Sequence, residues 1–208
     1  MQKNAAMGKD YLYCYIMTYD TGFAPNPEHG FLTLATCKPT IRRCAYEDSW
    51  ISGWAGVNVY ATQDKKEFYS DKAQKLIYLA QITKKVDFDQ YWVGEKFQNK
   101  KPENSICGDN IYEPNINERF GFKRHENGGG HGEKEKEHDL SGKNVLICDE
   151  FYYFGIQNAL DVMSELKDDS FVVPRCKKIP MSADVSNRII EIVKNHISQA
   201  KFYSNGNK

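Results

Sequence analysis

Residues 11–20 read YLYCYIMTYD, and the alternation in this stretch decides the fold class. Tyr11, Tyr13, Tyr15, Met17 and Tyr19 fall on one face of an extended chain, and Leu12, Cys14 and Ile16 on the other. Both faces are apolar or aromatic, which predicts a central strand covered by a packed layer on each side. The alternative use of such a face is to let one or two tyrosines line a pocket. The strand ends at Gly22, and the next segment, FAPNPEHG, is stiffened by Pro25 and Pro27, which fix φ and bias Ala24 and Asn26 towards extended geometry.

Outward from that block, residues 31–37 (FLTLATC) predict a second strand, followed by KPTIRRCAYED and the short Trp-Gly turn SWISGWAG at 49–56. Residues 57–74 are polar and read as a surface excursion, and 76–88 as a third strand. Phe88, Tyr91 and Trp92 then share one side of a short helix. From 99 to 142 there is little periodicity. The run RHENGGGHGEKEKEHD lacks the apolar surface to order itself, so a long, partly mobile loop is expected, most mobile over about 124–142. Residues 143–155 restore a strand, leading into a helix with its stripe on Ile156, Ala159, Leu160, Met163 and Leu166. A last helix, capped by Ser182, carries Val185, Ile189, Ile192, Val193 and Ile197.

Strands arrive in the first half without long helices between them, which argues against a doubly wound parallel sheet. The expectation is a mixed α+β domain, either a mainly antiparallel sheet or a small PUA-like β-barrel with flanking helices. One domain over 11–202 is expected, between a flexible start at 1–10 and a flexible tail at 203–208.

The chain has 208 residues, with Lys+Arg and Asp+Glu both at 28, so no global positive field holds it on DNA and any nucleic-acid contact must be local. Six cysteines stand without C-x-x-C spacing, and MQKNAAMGKD lacks an apolar leader. A cytoplasmic, reduced protein without a membrane span is the expectation. The P-loop, dinucleotide-binding, nucleophile-elbow and zinc-deaminase signatures are all missing from the sequence.

The candidate residues cluster around the proline loop. Lys38, Arg42 and Arg43 offer a locally basic patch whose guanidinium forks match phosphate oxygens, against the alternative of ordinary surface charge. His29, held on the stiff loop, and Asp20, at the end of the first strand, are candidate acid-base residues; a turn-capping histidine is the plain alternative. Phe23, Trp50 and Trp54 offer flat surfaces for stacking a base, unless they serve the core. Asn26, Asp109, Asn110 and Tyr112 can read a base edge, although Asp109 and Asn110 can equally form an Asx-turn. His125, His131 and His138 with Asp139 invite a metal reading, but the histidines are spaced six or seven residues apart, which matches no compact metal motif, and no metal site is assigned. Asp149 and Glu150, ending a hydrophobic strand, are the carboxylates best placed for a divalent cation such as magnesium, if a cofactor is used at all.

The order YxYxxxxYDTGFAPNPxHGxxTLATCKPxIRR, SWISGWAG, LIYLAQITxxxxFDQYW, GDNIYEPN, over about residues 11–155, resembles the bacterial nucleotide modification associated domain family, type two. That resemblance implies a role linked to nucleotide or nucleic-acid base modification, with a nucleotide or modified DNA base as ligand and proteins of a modification or phage-defence system as partners. It supplies no reaction. The succession of strand, basic segment, Trp-Gly turn and LIYLAQIT is also similar, more weakly, to PUA and EVE barrels, which implies a base-binding module. The leading expectation is therefore a reader of a nucleotide or modified base. An enzyme that modifies or transfers a group to one, or a scaffold within such a complex, are the alternatives.

Overall fold

The computed structural model describes residues 10–62, 64–126, 131–167, 171–173 and 175–205. Residues 1–9 of the expected flexible start (1–10), residues 206–208 of the expected flexible tail (203–208), and residues 127–130 of the expected mobile loop lie outside the described residues. The first strand is β1 (Tyr11–Tyr19), and it runs through the middle of a six-stranded sheet. β2 (Leu32–Leu34) is shorter than expected and leads by an elbow at Cys37–Lys38 into α1 (Pro39–Cys44). The expected Trp-Gly turn is instead the middle of the longest strand, β3 (Trp50–Tyr60), which pairs parallel to β1 and continues to β4 (Phe68–Tyr69). Gly53 allows this: a Cβ there would lie 2.3 Å from Tyr78 Cε1 and 2.4 Å from Met17 Sδ, so only glycine lets the two strands and the Tyr78 ring pack so closely.

The expected third strand breaks after Gln81 into β5 (Leu76–Gln81) and β6 (Lys84–Asp87), which belong to different sheets. α2 (Phe88–Val93) follows with a capping box in which Gln90 N donates to Asp87 Oδ1 at 2.7 Å and Asp87 N donates to Gln90 Oε1 at 3.3 Å. Within the expected long loop stand a ribbon of β7 (Tyr112–Pro114) with β8 (Phe122–Arg124) and the short helix α3 (Lys136–Leu140). Residues 143–155 form two strands, β9 (Asn144–Cys148) and β10 (Glu150–Tyr153), and the helix expected from Ile156 is confined to α4 (Val162–Leu166). β11 (Cys176–Pro180) and α5 (Asp184–Asn205) complete the chain.

The main sheet runs β10-β5-β3-β1-β11, with β4 on β3, and only the β1–β3 pair is parallel. A second, antiparallel sheet is ordered β2-β9-β6. The fold is thus α+β with mixed, mostly antiparallel sheets, and the described strands do not close into a barrel.

Burial follows the alternation. Leu12, Cys14, Trp50, Trp54 and Leu79 face α4 and α5 through Val162, Leu166, Ile189 and Val193. On the opposite face, Tyr13, Tyr15, Met17, Ile51 and Tyr78 pack on Leu32, Leu34, Leu146 and Cys148 of the second sheet. The far side of that sheet, through Val145 and Ile147, covers Phe88, Tyr91, Ile111 and Tyr112. These layers bring the end of β1, the β2–α1 elbow and the α3 segment to one place. No described helix is long and apolar enough to cross a membrane.

Candidate active site

A cleft of about 320 Å³ opens where β1 ends, lined by Tyr15, Met17 and Tyr19 from the strand, Thr21, Phe23 and Ala24 from the proline loop, Cys37 and Lys38 from the elbow, and His131 and Glu135 from the α3 segment. Alternation along β1 explains the first set: the face that turns inward as Tyr13 and Tyr15 emerges into the cleft as Met17 and Tyr19.

The elbow brings a thiol and an ammonium to the cleft. Cys37 and Lys38 have φ of +57° and +40°, and two successive non-glycine residues in the left-handed region cost roughly 1–2 kcal/mol each. Pro39 at the first helical position preorganises α1 immediately afterwards. The surroundings hold this geometry on both sides: Cys37 N donates to Asp139 Oδ1 at 2.9 Å, and the Cys37 carbonyl accepts from Arg42 Nε at 2.7 Å.

Cys37 Sγ lies 3.2 Å from His131 Nε2, and His131 Nδ1 lies 2.7 Å from Asp139 Oδ2. The same Asp139 oxygen accepts from the Tyr112 hydroxyl at 2.9 Å. Asp139 is fully buried. With two other donors already on the carboxylate, Nδ1 donates to Asp139 and Nε2 is left facing the sulfur. Burial works to lower the His131 pKa, but the hydrogen bonds to Asp139 and Cys37 outweigh it and raise the value to about 10. Burial and the neighbouring carboxylate push the Tyr112 hydroxyl far up, so it remains a donor. Thiol, imidazole and buried carboxylate stand in line, an arrangement of the kind that can activate a thiol.

Further buried groups fix the segments that bear these three residues. Arg42 is fully buried, and besides Cys37 it donates to the carbonyls of Asn144 at 2.8 Å and of Asp139. Burial lowers its pKa to about 10, against the opposing pull of Asp139, so it stays charged at neutral pH. Arg124 Nη1 donates to the carbonyls of His125 at 2.9 Å and His131 at 3.0 Å.

The residues expected from sequence divide between this cleft and the interior. Lys38 lines the cleft, with Nζ 3.1 Å from the Ile16 carbonyl and 4.8 Å from the Tyr15 ring centroid, and burial lowers its pKa. Phe23, although buried, borders the cleft with its ring 5.2 Å from that of His131. Tyr112 holds Asp139. Arg42 has its donors on carbonyl oxygens instead of facing solvent, and exposed Arg43 donates to the Ser141 carbonyl at 3.0 Å. Trp54 lies fully inside the core with Nε1 on Ser52 Oγ at 2.8 Å, and Trp50 is buried in the same cluster beneath Lys194.

Asn26, Asp109 and Asn110 are buried in hydrogen bonds of their own. Lys100 Nζ donates to Asn26 Oδ1 at 2.7 Å and to the carbonyls of Asn26 and Phe31 at 3.0 and 2.9 Å. Asp109 accepts from Thr33 and Tyr91, each at 2.7 Å, and Asn110 Nδ2 donates to the Tyr91 carbonyl at 2.9 Å. This network braces the proline loop. Asp20 accepts from the Tyr153 hydroxyl and from Ile156 N at 2.6 Å, and burial raises its pKa against those two bonds. His29 is exposed, 3.8 Å from Glu28, and among the described residues no bond joins it to Asp20. Asp149 pairs with Lys96 at 2.8 Å and Glu150 with Lys194 at 3.0 Å, so each carboxylate already faces a cation. Of the three loop histidines, His125 pairs with Glu113 and His131 with Asp139, while His138 is exposed.

Cys37 escaped the sequence reading as a site residue, and His131 and Asp139 entered it only together, as members of a metal candidate that was not assigned. The available signal was the run T-C-K-P: a thiol after a strand and two residues before a helix-starting proline. The model of nucleotide modification associated domain 2 matches residues 9–206. The chain belongs to that family. No curated protein and no solved structure matches the chain. For this nucleotide modification associated domain 2 protein, the family gives a link to nucleotide modification, and the Cys37–His131–Asp139 arrangement comes from the coordinates alone.

Proposed function

We propose that the protein is a thiol-dependent enzyme acting on a nucleotide or nucleic-acid base within a modification system, with Cys37 as nucleophile. The observation that carries this reading is the 3.2 Å approach of Cys37 Sγ to His131 Nε2 on a strained elbow, with Asp139 behind the ring. Sulfur attacks an electrophilic carbon of acyl type on the substrate, and the imidazole holds the proton that the thiol gives up. As the tetrahedral centre collapses, that proton passes to the departing nitrogen or oxygen, leaving a thioester on Cys37. Water or an acceptor group then attacks the thioester with His131 as base, restoring the thiol. Lys38, which lines the cleft, supplies positive charge for an anionic part of the substrate. Recognition of the nucleotide, expected from sequence as the whole function, becomes the binding half of this activity.

The test is the pH profile of alkylation by iodoacetamide, mapped to individual cysteines by mass spectrometry. Cys37 is expected to react faster than exposed Cys44 and Cys176 at pH 6–7, and His131→Ala to abolish that advantage. Equal rates at all three thiols, or a rate at Cys37 indifferent to His131→Ala, would overturn the reading. Incubation with acylated or otherwise modified nucleotides and acid quenching should then trap a mass increase on Cys37 that Cys37→Ser lacks.

A further inference from the structure

The wall of the cleft continues outward as a ledge of aromatic rings. Tyr19, the last residue of β1 and a lining residue of the cleft, pairs in register with Tyr60 at the end of β3; their rings stand 5.5 Å apart at 35°. Tyr60 in turn opposes Phe68 on β4, with ring centroids 6.1 Å apart. The register shift between Met17 and Tyr19 turns the end of β1 so that its ring meets that of Tyr60. Phe68 is 56% exposed, an apolar ring left on the surface at the outer end of the row.

A cation completes the ledge. Lys65 Nζ stands 6.0 Å from the Tyr19 centroid and 5.8 Å from that of Tyr60. Among the described residues no carboxylate pairs with it, whereas neighbouring Lys66 is held by Asp64 at 2.8 Å. Cross-strand aromatic pairing accounts for Tyr19 and Tyr60 meeting, since such pairs stabilise sheets. It does not account for an ammonium that meets the Tyr19 hydroxyl with no carboxylate partner among the described residues, nor for the row starting inside a cleft that holds the thiol.

We propose that this ledge is the substrate's base-stacking subsite: a nucleoside phosphate lies with its heterocycle on Tyr60 and Phe68 and its phosphate against Lys65, directing the substituent to be processed past Tyr19 towards Cys37. The inference rests on the thiol-enzyme reading for the direction of the substituent, but the ledge itself is defined independently. The ligand chemistry, a flat heterocycle plus a phosphate, is shared by free nucleotides and by single strands. Stacking tolerates any base, because every base presents a π-face.

Binding is measured with Cys37→Ser protein, so that a failure of thiol chemistry leaves this measurement untouched. The probes are the four deoxynucleoside 5′-monophosphates and a fluorescein-labelled ten-residue oligothymidylate. Saturable binding is expected, weakened about ten-fold or more by Phe68→Ala with Tyr60→Leu, as the loss of one or two stacking contacts requires. Lys65→Ala should lower both the affinity and its dependence on salt. Tighter binding of the strand places the substrate base in nucleic acid, and equal binding per unit places it in free nucleotides. Absence of saturable binding by every probe overturns the proposal. So does unchanged affinity in Phe68→Ala alone, a variant at an exposed position, shown to be folded by circular dichroism.

Discussion

The Arg42 guanidinium donates through Nε to the Cys37 carbonyl at 2.7 Å while also donating to the carbonyl of Asp139. One buried cation thereby holds the Cys37 and Asp139 segments in fixed relation, although 102 positions separate them in the chain. Arg42 fits there because residue 142 is glycine: a Cβ at Gly142 would come within 2.4 Å of the guanidinium carbon.

Replacing Gly142 by Ala should therefore shift Arg42 and loosen the elbow. The expected result is a fall of up to about 100-fold in the iodoacetamide rate at Cys37, the scale on which ångström misplacements act. Arg42→Met leaves three carbonyls without their donor, and each such loss costs roughly 1–3 kcal/mol. Urea denaturation should show Arg42→Met to be the more destabilised of the two, with Cys37 reactivity lost in both.

Asp139→Asn keeps the size of the side chain but removes the charge that orients His131. In the analogous serine-histidine-aspartate arrangement this change costs about 10⁴-fold. A loss of at least two orders of magnitude in Cys37 alkylation at pH 7 is expected here, compared by stopped-flow with Tyr112→Phe. The tyrosine variant, which removes one of the donors to the carboxylate, should lose far less.

The pH dependence of stability follows from His131. Its pKa is raised on folding from about 6.5 to about 10, so the stability it contributes is fully present below pH 6.5 and is lost as pH rises towards 10. Lys100 acts oppositely: burial lowers its pKa to about 8, so folding is penalised below pH 8 and the penalty is relieved between pH 8 and 10.5. The difference in urea midpoints between wild type and His131→Asn removes the Lys100 contribution. That difference should shrink steadily from pH 6.5 to pH 10, and a constant difference would contradict the raised pKa.

Buried Lys100 and Asp109 attract one another, and each donates to or accepts from the segment around Asn26 and Thr33. Lys100→Met alone and Asp109→Leu alone should each cost about 3–5 kcal/mol, because each leaves an uncompensated charge inside. The double variant should cost measurably less than the sum of the two, and additive values in a double-mutant cycle would show that the charges do not interact.

Adding a methyl group at Gly53 tests the strand that replaced the expected turn. Gly53→Ala should destabilise by about 1–3 kcal/mol through overpacking against Tyr78 and Met17. Thermal unfolding followed by circular dichroism measures it.

What the sequence by itself determined was periodic and local. The two-residue alternation of 11–20 made β1 a strand covered on both faces, the spacing of Ile189 and Val193 made the last helix pack by one stripe, and Phe88 and Tyr91 pointed inward together. Where periodicity failed, so did the reading: SWISGWAG looked like a turn because its glycines are strand-breakers locally, and only the Tyr78 ring opposite Gly53 makes a glycine necessary there. The two short strands between 112 and 124 carry too few residues to show any period.

The candidate site was decided by tertiary structure. Cys37 and His131 lie 94 positions apart, and Asp139 sits in a charge run whose composition suggests solvent. No local pattern encodes their meeting. It arises because β2 pairs with β9, which places Gly142 and Asn144 against Arg42, and Arg42 then fixes Cys37 beside Asp139. Short-range pattern tells which face of an element is buried, but the convergence of polar groups from distant segments depends on how those buried faces stack.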